Sequence, residues 1–189
     1  MPVLPETEII AKARAGDVQA FRILVEKHQA FAYSLSYRFL GNASDAEDVT
    51  QECFIRLWKN LPRYRAEVKM TTWLYKIITN LCLDALKSSH HRQSKRSANL
   101  ESAETGQGST ATDQGIIQEE LRDAIVKMAE RLTPKQKAVF ILRDLEDLSM
   151  DEVEDVLSMS PGNIKSNLYY ARVSMSNMLR KYYQEEKPL

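Results

Sequence analysis

A chain of 189 residues, 43% of them hydrophobic, carries enough apolar side chains for one ordinary domain or two small ones. Lysine plus arginine equal aspartate plus glutamate at 26 each, so net charge excludes no partner and only the distribution of charge along the chain is informative. Cys53 and Cys82, with no Cys-x-x-Cys spacing, read as buried free thiols in a reducing cytosol, and with His28, His90 and His91 they make no zinc site. No apolar run reaches the roughly 18 residues of a membrane span, and Glu6 and Glu8 stand where a secretory signal would be basic and then apolar, so a soluble, cytoplasmic protein without membrane insertion is expected.

From the N-terminus, Ile9, Ile10 and Ala13, then Phe21, Leu24, Val25, Phe31, Leu35 and Phe39, recur at helical spacing, with breaks at Gly16-Asp17 and Gly41-Asn42. An acidic helix follows. Asp45, Asp48 and Glu52 fall on one side at i, i+3 and i+7 with Gln51 beside them, while Ala46, Val49, Cys53 and Leu57 form the stripe expected to be buried. A carboxylate face repels a phosphate backbone and so suits either solvent or a protein partner.

Next comes a loop with Arg63, Tyr64, Arg65 and Lys69, and a helix from Thr72 whose packed stripe is Leu74, Ile77, Ile78, Leu81 and Ala85. Its second stripe is Trp73, Lys76, Asn80, Asp84 and Lys87. Between residues 59 and 96 nine cations face two acids, a local charge of +7 inside a neutral chain. Rings stack on unpaired bases, amides bond base edges and cations hold phosphates, so this stripe suits a single strand of nucleic acid. Trp73, beside an apolar stripe, fits a core position as well.

Residues 89–118 are rich in Ser, Thr, Gln, Gly, Asn and Glu with few large apolar residues, too few to offset the entropy of ordering them, which predicts a flexible linker. Beyond it Leu121, Ile125, Met128 and Leu132 make another helical face, and three short helices are expected after that. Thr133 with Gln136 around Pro134, and Ser149 with Glu152, have the form of capping boxes. The first of these helices, spanning 134–145, packs Val139, Phe140, Leu142 and Leu145. The last begins at Ser160-Pro161 and keeps Ile164, Leu168, Ala171, Met175 and Leu179 inward. The spacing is that of a helix-turn-helix, whose last helix enters the major groove. Acids crowd the stretch before the turn, from Asp144 to Asp155, and none occurs between Val156 and Gln184. On the outward side of the last helix lie Gly162, Ser166 and Tyr169, flanked by Asn163, Lys165 and Tyr170, and its free N-terminal amides can hold a phosphate. No segment alternates with period two. The reading is all-α: two small helical domains at 1–88 and 119–189, joined by the linker 89–118, the second a helix-turn-helix.

The acidic run from Asp45, the Thr-Trp-Leu-Tyr-Lys-Ile run from Thr72 and the terminal helix-turn-helix together resemble a bacterial RNA polymerase sigma factor of the extracytoplasmic-function class, group 4 and sigma-E-like. The resemblance covers residues 6–88 and 119–181. It implies a region 2 domain at 1–88 that binds core polymerase and recognises and melts the minus-ten element, and a region 4 domain at 119–189 for the minus-thirty-five element. By position it places Asp48, Gln51, Glu52, Ile55 and Arg56 on the clamp helices of the largest polymerase subunit. It places Tyr64, Lys69, Met70, Thr72, Trp73, Lys76 and Asn80 on the minus-ten element, and Ser160, Pro161, Gly162, Asn163, Lys165, Ser166, Tyr169 and Tyr170 on the minus-thirty-five element. Expected partners are core polymerase, including its flap, promoter DNA in double-stranded and melted form, and an anti-sigma factor. Lys165, Asn167 and Tyr170 stand where relatives commonly carry several arginines, which implies a shallower dependence on salt and a different base preference.

A helix-turn-helix regulator that is not a polymerase subunit would account for the last module alone, and no sensor fold is visible upstream of it. No Gly-rich phosphate loop, carboxylate pair or nucleophile arrangement points to an enzyme, so no catalytic residue, metal or cofactor is expected.

Overall fold

The computed structural model describes residues 5–64, 69–96 and 113–185, all of whose regular structure is helical. Helix α1 spans Glu6–Arg14, α2 Val18–Leu40, α3 Ala43–Asn60, α4 Met70–Arg96, α5 Asp113–Ala129, α6 Pro134–Phe140, α7 Met150–Leu157 and α8 Pro161–Glu185. A 3-10 turn, Leu61–Arg63, follows α3, and α6 runs on into a π turn, Ile141–Leu145. Breaks fall where the sequence puts them. Asp17 caps α2 by accepting from the Gln19 and Ala20 amides, Gly41 ends it in the left-handed region at φ 68°, and Asn42 caps α3 by accepting from the Asp45 amide.

The first module is α1 to α4. Leu24, Leu35 and Phe39 of α2, Ala46, Cys53 and Leu57 of α3, and Leu74, Ile78 and Cys82 of α4 are fully buried at 0% exposure, each large apolar side chain contributing ~1.5–3 kcal/mol by leaving water. Helix α1 is tied to α2 through Glu6, whose carboxylate lies 2.8 Å from His28 Nε2 and 3.1 Å from Lys27 Nζ. Burial alone would raise the Glu6 pKa, but the hydrogen bonds from His28 and Lys27 outweigh it and hold it below the ordinary range.

The second module is α5 to α8. Both capping boxes form as expected, at Thr133 with Gln136 and at Ser149 with Glu152. Ile164, Leu168, Ala171 and Met175 face inward along α8. Two boundaries differ from the sequence reading. Helix α4 continues to Arg96, past the expected linker start at 89, and α5 begins at Asp113, so of the linker only 97–112 lies outside the described residues. Residues 89–96 are mostly polar, and the helix extends there as an outgrowth of the packed part of α4. The last helix is not short either, since α8 is 25 residues long.

The modules are docked on each other. Leu148, Val153 and Val156 of the second share one continuous apolar core with Leu74 and Ile78 of the first, and α7 lies along α4.

Candidate functional site

On α3 the face foreseen from the sequence exists. Ala46, Val49, Cys53 and Leu57 are buried, joined by Phe54, which rotates Asp48, Gln51, Ile55 and Arg56 into solvent and leaves Glu52 half-buried. Glu52 Oε1 accepts from Arg56 Nε at 2.8 Å, so one of the face's carboxylates is partly neutralised by its neighbour one turn on. Ile55 is 46% exposed, an apolar side chain that the fold leaves uncovered among these charges. A carboxylate, an amide and a bare isoleucine on one helical face suit a basic, partly apolar protein helix better than water alone.

Along α4 the two stripes separate. Leu74, Ile78 and Leu81 are buried and Ile77 and Ala85 half-buried, while Lys76, Asn80, Asp84 and Lys87 are exposed. Lys69, just before the helix, is exposed and Thr72 is half-buried. Trp73 is half-buried against Tyr64, ring centroids 5.2 Å apart at 50°, so it serves packing and partial exposure together. Tyr64 and Met70 are 6% and 3% exposed, and in this conformation neither offers a face to a nucleic acid. Their apolar bulk is drawn into the core at the start of α4, which residue type and position alone do not reveal. Arg65 lies outside the described residues.

In the second module Ser160, Pro161, Gly162, Asn163, Lys165, Ser166, Tyr169 and Tyr170 are all exposed, at the start and along the N-terminal half of α8, while Ile164 and Leu168 are buried. Tyr169 and Tyr170 are 63% and 57% exposed and meet edge to face at 5.4 Å, a broad aromatic surface carrying two hydroxyl groups. Arg172 is committed elsewhere. Its guanidinium donates to both Asp144 oxygens, at 2.6 and 2.9 Å, which fastens α8 to the π turn and raises the arginine's pKa. Lys165 is therefore the cation at the reading end of α8 among the described residues.

Sequence reasoning did not find the groups that hold the modules together. Glu146, in the turn before α7, accepts from Arg38 Nη1 of α2 with one oxygen and from Tyr75 Oη of α4, at 2.9 Å, with the other. Its side chain is 8% exposed. Phe31 braces the Tyr75 ring edge-on at 4.9 Å, and burial pushes the Tyr75 hydroxyl pKa up, keeping it a donor. Lys137 of α6 is 2% exposed and interacts through space with Cys82 of α4. Glu152 of α7 is held below its ordinary pKa by the Ser149 amide and hydroxyl, with Lys69 acting on it across the boundary. Neither Glu146 nor Lys137 carries a sequence signal for these roles, because a charge in a polar turn or short helix reads as solvated.

Residues 24–92 match the family described as Sigma-70 region 2, and residues 122–175 match Sigma-70, region 4. The chain is 31% identical over 182 residues to the ECF RNA polymerase sigma factor SigW of Bacillus subtilis, covering 90% of this chain and 95% of that one. It is 26% identical over 183 residues to the ECF RNA polymerase sigma-E factor of Escherichia coli, covering 94% and 95%. Among solved structures it resembles the sigma factor RpoE in complex with the anti-sigma factor NepR from Bartonella quintana, with a TM-score of 0.67 at 15% identity over 86% of this chain and 98% of that one. It also resembles CnrH in complex with the cytosolic domain of CnrY, with a TM-score of 0.64 at 21% identity over 93% and 97%. These likenesses show the fold.

Proposed function

The chain belongs to the extracytoplasmic-function family of RNA polymerase sigma factors, and from that premise we propose how its own surfaces direct the polymerase to promoters and open them. The observation that carries the reading is the adjacency of two opposite surfaces on one rigid module: the exposed acidic face of α3 and the exposed Lys76, Asn80 and Lys87 stripe of α4, packed back to back on a shared core.

In this reading Asp48, Gln51, Glu52, Ile55 and Arg56 grip the clamp helices of the largest polymerase subunit. Lys69, Thr72, Trp73, Lys76 and Asn80 hold the melted minus-ten strand, with Tyr64 and Met70 contributing once they leave the core in which they are buried. Ser160, Pro161, Gly162, Asn163, Lys165, Ser166, Tyr169 and Tyr170 read the minus-thirty-five element in the major groove. Opening the duplex consumes no nucleotide. Extruding a base costs a few kcal/mol, which stacking at ~1–3 kcal/mol per base together with phosphate contacts can offset. The chain acts by binding and not by catalysis, so the polymerase supplies the chemistry.

We assign it to the sigma-E-like group 4 class, working in the cytoplasm, with a region 2 and a region 4 domain joined by the segment between α4 and α5 and with the polymerase flap as a second contact of region 4. That one structural neighbour was solved with an anti-sigma factor supports an inhibitor of that kind for this chain. A helix-turn-helix regulator independent of polymerase leaves the region 2 match unaccounted for. Run-off transcription with purified core polymerase on a promoter library tests the proposal: initiation at a subset of templates is expected, and no initiation at any template sinks it.

A further inference from the structure

We infer that Arg172 is a positioning residue for reading the minus-thirty-five element, and not one of the cations that hold its phosphates. Clamped on Asp144, it fixes how α8 is rolled about its own axis and so where the reading side chains meet the duplex. The inference rests on the sigma-factor reading of region 4 and gives a role to two residues outside the set proposed for that element.

Helix geometry comes first. At 3.6 residues per turn the exposed row Gly162, Ser166 and Tyr169 lies about 90° round the α8 axis from Arg172, and the buried row Ile164, Leu168 and Met175 lies about 60° round it the other way. Arg172 therefore stands on the flank between the surface that reads and the surface that packs. The buried row holds α8 down by apolar contact, which is non-directional. A directional bond on the flank adds resistance to roll.

The bond found there is of that kind. Arg172 Nη2 donates to Asp144 Oδ1 at 2.6 Å and Nε donates to Asp144 Oδ2 at 2.9 Å, so a planar guanidinium grips a carboxylate with two parallel bonds. Its other end is fixed as well. Asp144 belongs to the π turn, in which Ile141 and Leu142 are 0% exposed. The Glu146 amide donates to the Ile141 carbonyl and the Leu148 amide to the Leu142 carbonyl, both at 2.9 Å, which closes that turn. The clamp thus ties α8 to a buried element that precedes α7, 28 positions away in the chain.

Magnitude shows why roll matters. Side-chain tips stand ~6 Å from a helix axis, so a roll of ~10° carries them through ~1 Å. That is enough to take a hydrogen bond of ~2.9 Å to a base edge out of range. Charge separates positioning from direct contact. A guanidinium holding both oxygens of a carboxylate must surrender that pair to hold a phosphate, and Lys165, two turns earlier on the same flank, is the exposed cation left for one.

The test uses holoenzyme assembled from core polymerase and the full chain, with a promoter duplex from which the wild type initiates, its affinity titrated against salt. Each phosphate contact contributes about 0.9 to the slope of log K on log salt. Arg172→Lys, which keeps the charge and loses the paired bonds, and Asp144→Asn should each weaken binding about tenfold with the slope unchanged. The charge swap Asp144→Arg with Arg172→Asp should recover most of that loss, and Lys165→Ala should lower the slope by about 0.9. Should the swap fail to fold, the two single variants decide. Wild-type affinity in Arg172→Lys, or tighter binding with a steeper slope in Asp144→Asn, would make Arg172 a phosphate contact and overturn the inference. A wild type that initiates on no template would sink the sigma-factor reading, and this inference with it, before any variant is compared; initiation by the wild type with altered variant slopes sinks the inference alone.

Discussion

Replacing Lys137 with methionine should stabilise the folded chain. Its side chain is 2% exposed at the boundary between α6 and α4, and desolvation pulls the ammonium pKa below the ordinary 10.5, Glu130 and Cys82 offsetting this only in part. An apolar side chain of similar length keeps the packing and removes the buried charge. Exchanges of buried charged groups for apolar ones are neutral to stabilising by ~1–4 kcal/mol, and with no ion pair here among the described residues to be lost, ~1–2 kcal/mol is expected at neutral pH. For a chain of this size that corresponds to a rise in Tm of roughly 2–8 °C. The pH dependence gives the sharper check. A lysine whose pKa is lower folded than unfolded binds fewer protons when folded, so between its folded pKa and 10.5 the wild type gains stability as pH rises. Below that window the penalty is present in full. The advantage of Lys137→Met should therefore be largest at pH 7 and shrink toward pH 10, measured as the difference between paired urea melts of the two proteins. A variant less stable than wild type at pH 7, or an advantage of the same size at pH 10, would refute the burial argument.

Thr133→Ala and Ser149→Ala each remove the side-chain half of a capping box and should cost ~1 kcal/mol apiece in urea melts; no loss at either site would mean the caps do not contribute. Asp48→Lys, at an exposed site, should weaken pull-down by core polymerase about tenfold without lowering Tm, and unchanged affinity would remove α3 from the interface. Asn80→Ala should reduce permanganate reactivity of the melted bases while leaving core affinity intact; unaltered reactivity would count against its proposed place on the strand. Burial pushes both thiols, Cys53 and Cys82, up to about 12, so an aromatic disulfide reagent at pH 8 should label neither until urea is added, and prompt labelling of the folded chain would contradict their enclosure.

Helix positions and facing were legible in the sequence because they depend on neighbours one turn away. The stripe Ala46, Val49, Cys53 and Leu57 repeats at nearly the helical period, so its burial and the solvent exposure of Asp48 and Gln51 follow from any core on that side. The two capping boxes are equally local, each a side chain and an amide three residues apart. Helix ends without a cap or glycine were less legible. Helix α4 outruns its apolar stripe to Arg96, and nothing in the polar residues after it forbids one more turn.

What the tertiary structure alone decided is who meets whom across long separations. Glu146 and Arg38 are 108 positions apart, and one carboxylate in an acidic run looks like its neighbours until the fold encloses it. Lys137 sits in a capped, polar-looking helix, and only the docking of α6 on α4 takes its ammonium out of water. Tyr64 and Met70 have side chains suited to stacking and to packing alike, and the core chose packing. Amphipathic period fixes which way a residue points about its own helix axis, whereas burial depends on what another helix brings to that side, and the period contains no term for it.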